Sequence, residues 1–280
     1  MTIGLSSATP AGQPEFSIAP YVGFGRIAFL QILSYRLRYF TGIITYLVNV
    51  TVYYFIWKAL YAAGGAIQGF TFRQMITYVA VGWIVRTFYF NNIDREMATD
   101  IQQGHIAGKL TRPVNYQWMH ISQAAGESVF RMAMFTVPSA AVILSVYPVD
   151  RPASAAAFGA FLVSLVFSFL IFCALNFLVG TCAVYLHSIL GLIRAKYFLI
   201  EILSGLIIPI NFFPDRLVRI SHWLPFQHIS YTPLMIYMGK IQGDALAVVL
   251  LTESAWVVVL LLAGHAFWSV ATRRMIVQGG

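Results

Sequence analysis

Glu127 and Arg131 stand four residues apart in an otherwise apolar stretch, a spacing that puts them on one helical face where they can pair. The pair is either a structural clasp or part of a gate. Arg86, Glu201 and Glu253 also fall in apolar surroundings, where an ionisable group is costly and therefore a functional candidate. Glu201 lies near Arg194 and Lys196, which favours an interfacial salt bridge, whereas Arg86 and Glu253 have no partner visible in the sequence. Asn49, Asn176 and Asn211 can bond between helices. None of these residues names a substrate.

Enzyme signatures are missing: there is no H-E-x-x-H, no G-x-S-x-G and no paired acidic motif flanking a polar loop. Gly104-His105-Ile106-Ala107-Gly108-Lys109-Leu110 has the look of a phosphate loop. That loop needs four residues between its glycines and a Ser or Thr after the Lys, and both requirements fail here. If ATP is used, another polypeptide binds it. Cys173 and Cys182 share one apolar block and read as small core residues, which excludes a disulfide framework and a zinc site. His187, His222 and His228 fall at expected membrane edges and read as half-solvated structural residues. The sequon Asn49-Val50-Thr51 lies inside an apolar span and cannot be glycosylated.

What must position these groups is set by composition. The chain is 59% hydrophobic and only 10% charged, against roughly 25% charged in soluble domains. The net charge of +8 comes from scattered Lys and Arg, with no basic run interleaved with aromatics, so nucleic acid is not the partner. The apolar residues form six blocks that can cross a bilayer, at about 40–63, 74–92, 118–147, 153–186, 194–213 and 245–271. Ten basic residues then lie on the side of the termini: Arg26, Arg36, Arg38, Arg95, Lys109, Arg112, Arg194, Lys196, Arg273 and Arg274. Five, namely Arg73, Arg151, Arg216, Arg219 and Lys240, lie opposite, which puts both termini in the cytosol. Residues 1–20 read as a flexible cytosolic tail without a signal peptide, and 21–280 as one transmembrane domain. Ile27, Leu30, Leu33, Leu37 and Phe40 recur at helical spacing, with Gln31, Tyr35 and Arg38 facing away. They suggest an interfacial helix ahead of the first span.

Two loops stand out. The inner one, 94–115, is the most polar part of the chain and can form a short helix with Met97 and Ile101 on one face, then a glycine-punctuated turn. It is either a solvated loop or a docking helix for a cytosolic partner. The outer one, 214–240, is too apolar for a free loop: Leu217, Ile220, Trp223 and Leu224 share helical spacing and imply short helices dipping back toward the membrane.

This layout resembles the ABC-2 type permeases, the membrane subunits of ATP-binding-cassette exporters. Three features carry the likeness: the order of the elements, Gly108-Lys109-Leu110-Thr111-Arg112-Pro113 in the inner loop, and Pro209-Ile210-Asn211-Phe212-Phe213-Pro214 followed by Trp223-Leu224-Pro225-Phe226. The sequence is most similar to the short half-permeases. The resemblance implies an all-α membrane fold with six spans, an N-terminal interfacial helix and re-entrant helices before the last span. It implies a bacterial inner-membrane location, a cytosolic ATPase dimer that holds ATP and magnesium, a second permease half, and no cofactor or catalytic residue on this chain itself. Some relatives of this kind are associated with drug efflux.

On that reading Met97, Ile101, Gln102, His105, Lys109 and Arg112 couple to the ATPase. Arg86, Glu201, Asn211, Phe213, Trp223 and Pro225 line or gate the path, with Glu127 and Arg131 as a buried pair. The rival reading is a secondary transporter driven by an ion gradient, which calls for mid-membrane carboxylates and repeated interrupted helices. An integral-membrane enzyme and an assembly protein are weaker alternatives.

Overall fold

The computed structural model describes residues 18–34, 37–186 and 188–274, with side chains placed for 18–32 and from residue 44 onward in those ranges. The expected tail, 1–20, falls almost wholly outside them, as do Tyr35, Arg36 and His187. Twelve α-helices account for most of the described chain: α1 (Ala19–Ser34), α2 (Leu37–Leu60), α3 (Phe72–Tyr89), α4 (Ile93–Gln102), α5 (Ile106–Leu110), α6 (Tyr116–Arg131), α7 (Val137–Val146), α8 (Ala155–Thr181), α9 (Leu190–Leu203), α10 (Asp215–His222), α11 (Tyr231–Tyr237) and α12 (Asp244–Thr272). Among the described residues there is no strand, only an isolated bridge between Ile67 and Phe70.

Among the described residues three helical stretches, Tyr116–Val146, Ala155–Val184 and Asp244–Thr272, are long and apolar enough to cross a membrane. They coincide with the third, fourth and sixth expected spans. The first of the three is not a uniform helix: α6 passes into α7 through a π turn, Met132–Thr136. Pro138 lies just beyond the turn and has no N–H to donate to the turn behind it, which accounts for the irregularity.

Local chemistry starts the helices. Thr71 caps α3 by accepting from the Gln74 amide at 3.3 Å, while the Gln74 side chain accepts from the Thr71 amide at 3.1 Å. Asn115 and Ser154 cap α6 and α8 by the same logic, accepting from Trp118 and Ala157.

The fifth expected span, 194–213, is cut short, because α9 ends at Leu203. Gly205 follows with φ +75°, and a Cβ there would lie 2.9 Å from the Tyr231 Cβ and 3.1 Å from the Tyr78 hydroxyl. Only glycine fits so sharp a reversal at so close an approach.

α8 is the central post. Phe161, Phe169, Phe172, Cys173 and Phe177 are buried along its length, and α12, α4 and α11 pack around it. All seven residues of α11 are buried. The turn before it is held to Ser168, whose hydroxyl donates to the His228 carbonyl at 2.8 Å. Ser168 stands 13 residues past Ala155, so the segment reaches about 20 Å down α8 at 1.5 Å per residue. His228 is thus fully buried, not half-solvated as expected; His222 is exposed. The segment that turns inward is Pro225–Tyr237, while Leu217 and Ile220 of α10 and Trp223 just after it are exposed.

Apolar side chains also cover the outside. Val48 and Phe55 of α2, Phe198 and Leu199 of α9, and Leu251 and Leu262 of α12 are all exposed, the arrangement of a chain whose solvent is lipid or another apolar subunit.

Candidate functional site

The polar helical hairpin α4–α5 hangs from the end of α3 by a buried asparagine. The Asn91 side chain donates to the Tyr89 carbonyl at 3.1 Å, and the Asn176 amide of α8 donates to the Asn91 Oδ1 and carbonyl at 2.8 and 3.0 Å. This network satisfies the backbone where the chain leaves α3 and turns into α4. The Asp94 carboxylate accepts from the Arg95 amide at 2.8 Å and from the Lys196 ammonium of α9. Lys196 donates as well to Asn176 Oδ1 and lies 4.0 Å from the centre of the Tyr197 ring. Lys196 is buried, and with Asp94 it forms an ion pair.

Met97 is fully buried and Ile101 partly so. The Met97 Sδ lies 2.7 Å from where a Cβ on Gly180 would stand, so glycine is what lets α4 rest on α8. These two apolar residues fasten the helix inward. Gln102 and His105 stay exposed at the tip, where Gly104, with φ +73°, turns the chain. Lys109 pairs with Asp100 and closes the hairpin. Arg112 lies over the Phe24 ring of α1 at 5.7 Å, and the Tyr21 hydroxyl accepts from the Asn115 amide at 3.0 Å.

α1, α4, α5 and α6 enclose a cleft of about 720 Å³. Glu96 faces it, its carboxyl pushed up to about 7, first by burial and then by the neighbouring Glu127, with Asp100 and Asp94 adding to the effect and Lys109 opposing it.

Farther along the chain, Arg86 donates to Glu201 at 2.8 Å. This corrects the pairing of Glu201 with Arg194 or Lys196: Lys196 and Glu201 are five residues apart and on different faces of α9. The Arg86 guanidinium lies 5.5 Å from the Trp83 ring and 5.4 Å from the Phe90 ring. Arg131 does donate to Glu127, at 3.2 Å, and also to the Phe90 carbonyl at 2.6 Å. The pair thus helps tie α6 to the end of α3. Asn176 bonds between helices, and Asn211 accepts from the Tyr231 hydroxyl; Asn49 instead donates to Thr45 within its own helix. Phe213 is half-buried, Pro225 buried and Trp223 83% exposed. These gate candidates do not converge with α4–α5 on one site.

Asp94 and Asn91 were beyond sequence reasoning because their partners lie 102 and 85 residues away. So did the contact between Glu253 and Ser164, whose hydroxyl donates to the Glu253 carboxyl at 2.7 Å. No cluster of three or more metal-binding side chains occurs among the described residues.

No curated protein matches the chain. A family model described as ABC-2 family transporter protein matches residues 47–279. That stretch takes in most of α2 and every later helix, including the buried clasp of α4 to α8 and α9, and the chain belongs to the ABC-2 family of membrane transporter proteins.

Proposed function

We propose that the chain is one half of the export path of an ATP-driven transporter, coupled through α4–α5 to a separate cytosolic ATPase dimer that holds ATP and magnesium. α2, α3, α6–α7, α8, α9 and α12 serve as six spans, Pro225–Tyr237 re-enters from the outer side, and both termini lie in the cytosol of a bacterial cell. A second permease half, identical or different, completes the path against the exposed apolar faces of α2 and α9. This chain performs no catalysis of its own.

One observation carries the reading: the exposed polar tip of α4–α5 is continuous with a buried ion pair, Asp94–Lys196, that grips α9. α9 buries only Ile193, Lys196 and Ile200, so a push on α4 reaches it through a polar clasp. A ligand shifts a conformational equilibrium only through differential contacts with its two states, and this clasp is where such a difference would be made.

The test is to place acidic charge on the tip with Gln103→Glu and His105→Glu. The expected result is a loss of about 10-fold in transport-linked ATP hydrolysis, with insertion and melting of the permease unchanged. Undiminished coupling would refute the docking role.

A carrier driven by a proton gradient is the second reading, favoured by Glu253. This carboxyl has no exposed surface, and its Oε2 has no hydrogen-bond partner among the described residues. It predicts transport that survives removal of the ATPase and collapses with the proton gradient.

A further inference from the structure

The cleft between α1 and α4–α6 has an uneven charge lining. Two of its acids are already matched: Asp100 by Lys109 and Glu127 by Arg131. Glu96 is not: it accepts no hydrogen bond among the described residues, and the ring of the buried His120 lies 3.8 Å from its carboxyl. Arg95 and Arg112 also line the cleft; both are exposed and in no ion pair among the described residues. One carboxyl and two guanidiniums, none of them in a close pairing with a Lys, Arg, Asp or Glu among the described residues, therefore share a space of about 720 Å³, well within the size range of ligand clefts, ~300–1,000 Å³.

The rest of the lining mixes the polar side chains Gln31, Asn92, Thr99 and Gln123 with Phe24, Ile27 and Ala28, the apolar part of the α1 face. Val22, Ile27 and Leu30 of α1 are exposed. A molecule seated with its polar end among Glu96, Arg95 and Arg112 has a hydrocarbon-compatible surface leading away from that end.

We propose that this cleft is a binding site for a phosphate ester bearing a primary amine, and specifically for the headgroup of an aminophospholipid. The ammonium sits on Glu96, the phosphate sits between Arg95 and Arg112, and the acyl chains lie along α1. Guanidiniums suit phosphate oxygens through paired donors, and an ammonium supplies the cation that Glu96 lacks. A purely anionic lipid satisfies the arginines but offers Glu96 no cation that would favour its ionised form.

The experiment uses the purified full chain in detergent. It measures binding of dihexanoyl-phosphatidylethanolamine, dihexanoyl-phosphatidylglycerol and free phosphorylethanolamine to the unaltered chain, E96Q and R112Q, with melting curves to confirm folding. The amine lipid is expected to bind about tenfold tighter than the glycerol lipid. E96Q should bring the two level, and R112Q should weaken both. Equal binding of the two lipids to the unaltered chain, or a preference that persists in E96Q, overturns the proposal. Free phosphorylethanolamine binding as tightly as the lipid would assign the site to a soluble phosphoamine and overturn the lipid. If neither lipid binds and E96Q only lowers recovery of the ATPase with the permease, the cleft is a protein interface and the proposal fails.

Discussion

Asp94 and Lys196, 102 residues apart, form an ion pair that joins the N-terminus of α4 to α9, and both side chains are buried. A buried pair of this kind adds little net stability, but removing one partner strands the other charge at a cost of about 3–5 kcal/mol. Asp94→Asn and Lys196→Met should each lower the melting temperature sharply. The double variant should regain much of the loss, since neither charge remains. Equilibrium or thermal unfolding of the four proteins gives the coupling energy directly. If the two single losses simply add, the clasp does not exist as described. The double variant should still fold while uncoupling ATP hydrolysis from transport, because its α4 and α9 are no longer gripped together.

α1 crosses α6 with the two backbones in close contact, beside the edge-on packing of Phe29 on Phe130 at 5.5 Å. A Cβ on Gly126 would stand 2.0 Å from the Gly25 carbonyl oxygen, whereas one on Gly25 meets the Ser122 oxygen at 3.0 Å and one on Gly23 meets nothing within 4 Å. The expected order of damage is therefore Gly126→Ala, then Gly25→Ala, with Gly23→Ala near neutral. Overpacking of this kind costs about 1–3 kcal/mol or displaces the helix. Proteolysis between α1 and α2 should accelerate in Gly126→Ala and stay unchanged in Gly23→Ala; equal behaviour of the three would contradict the crossing.

What the sequence made legible, and what it did not, follows from range. Long apolar blocks specify helices through local composition, and Tyr116–Val146, Ala155–Val184 and Asp244–Thr272 fall within two residues of expectation at each end. The Glu127–Arg131 pair was readable because i,i+4 spacing is itself geometry. The polarity of 94–115 marked a distinct element, but Met97 and Ile101 were ambiguous: an apolar pair on a short helix looks the same whether it faces a partner or its own chain. Gly180 decides the matter, and it lies 83 residues from Met97. The partners of Asp94, Arg86 and Glu253 were hidden for the same reason. Each pair joins separate helices, and no local period encodes which helix will stand beside which. The early end of α9 was masked by composition, since 204–213 is as apolar as the helix before it, and only the demands on Gly205 reveal the break.

Glu96 makes stability depend on pH. Its carboxyl is raised to about 7 in the folded chain by burial and by Glu127, Asp100 and Asp94, against an ordinary value of 4.5. Between about pH 4.5 and 7 the folded state holds a proton that the unfolded state has released, so stability falls as pH rises through that window and levels off above it. The melting temperature of the unaltered chain should therefore decline more steeply from pH 5 to 7.5 than that of Glu96→Gln, in which the group cannot ionise. Parallel curves for the two proteins would remove Glu96 as the source. Because its side chain is 43% exposed, the difference should shrink further at high salt.

Arg86 and Glu201 hold the other half of α9, and their two substitutions should not be equivalent. Arg86 is the more enclosed, with 17% of its side chain exposed against 39% for Glu201, and its guanidinium lies near both Trp83 and Phe90. Lysine keeps the charge but loses the planar contact with the rings and the forked donors, so Arg86→Lys removes more than one interaction at once. Glu201→Gln keeps a hydrogen-bond acceptor and removes only charge from a partly solvated group, a change of about 1 kcal/mol or less. α9 exposes Phe198 and Leu199 and buries little against its own chain, so weakening this contact should loosen α9 in particular. Hydrogen exchange is the measurement: Arg86→Lys should speed exchange of the α9 amides several-fold more than Glu201→Gln does. The amides of α8, which buries far more of its surface than α9 does, should be untouched in both. Equal protection of α9 in the two variants would show that its apolar contacts, and not the arginine, hold it in place.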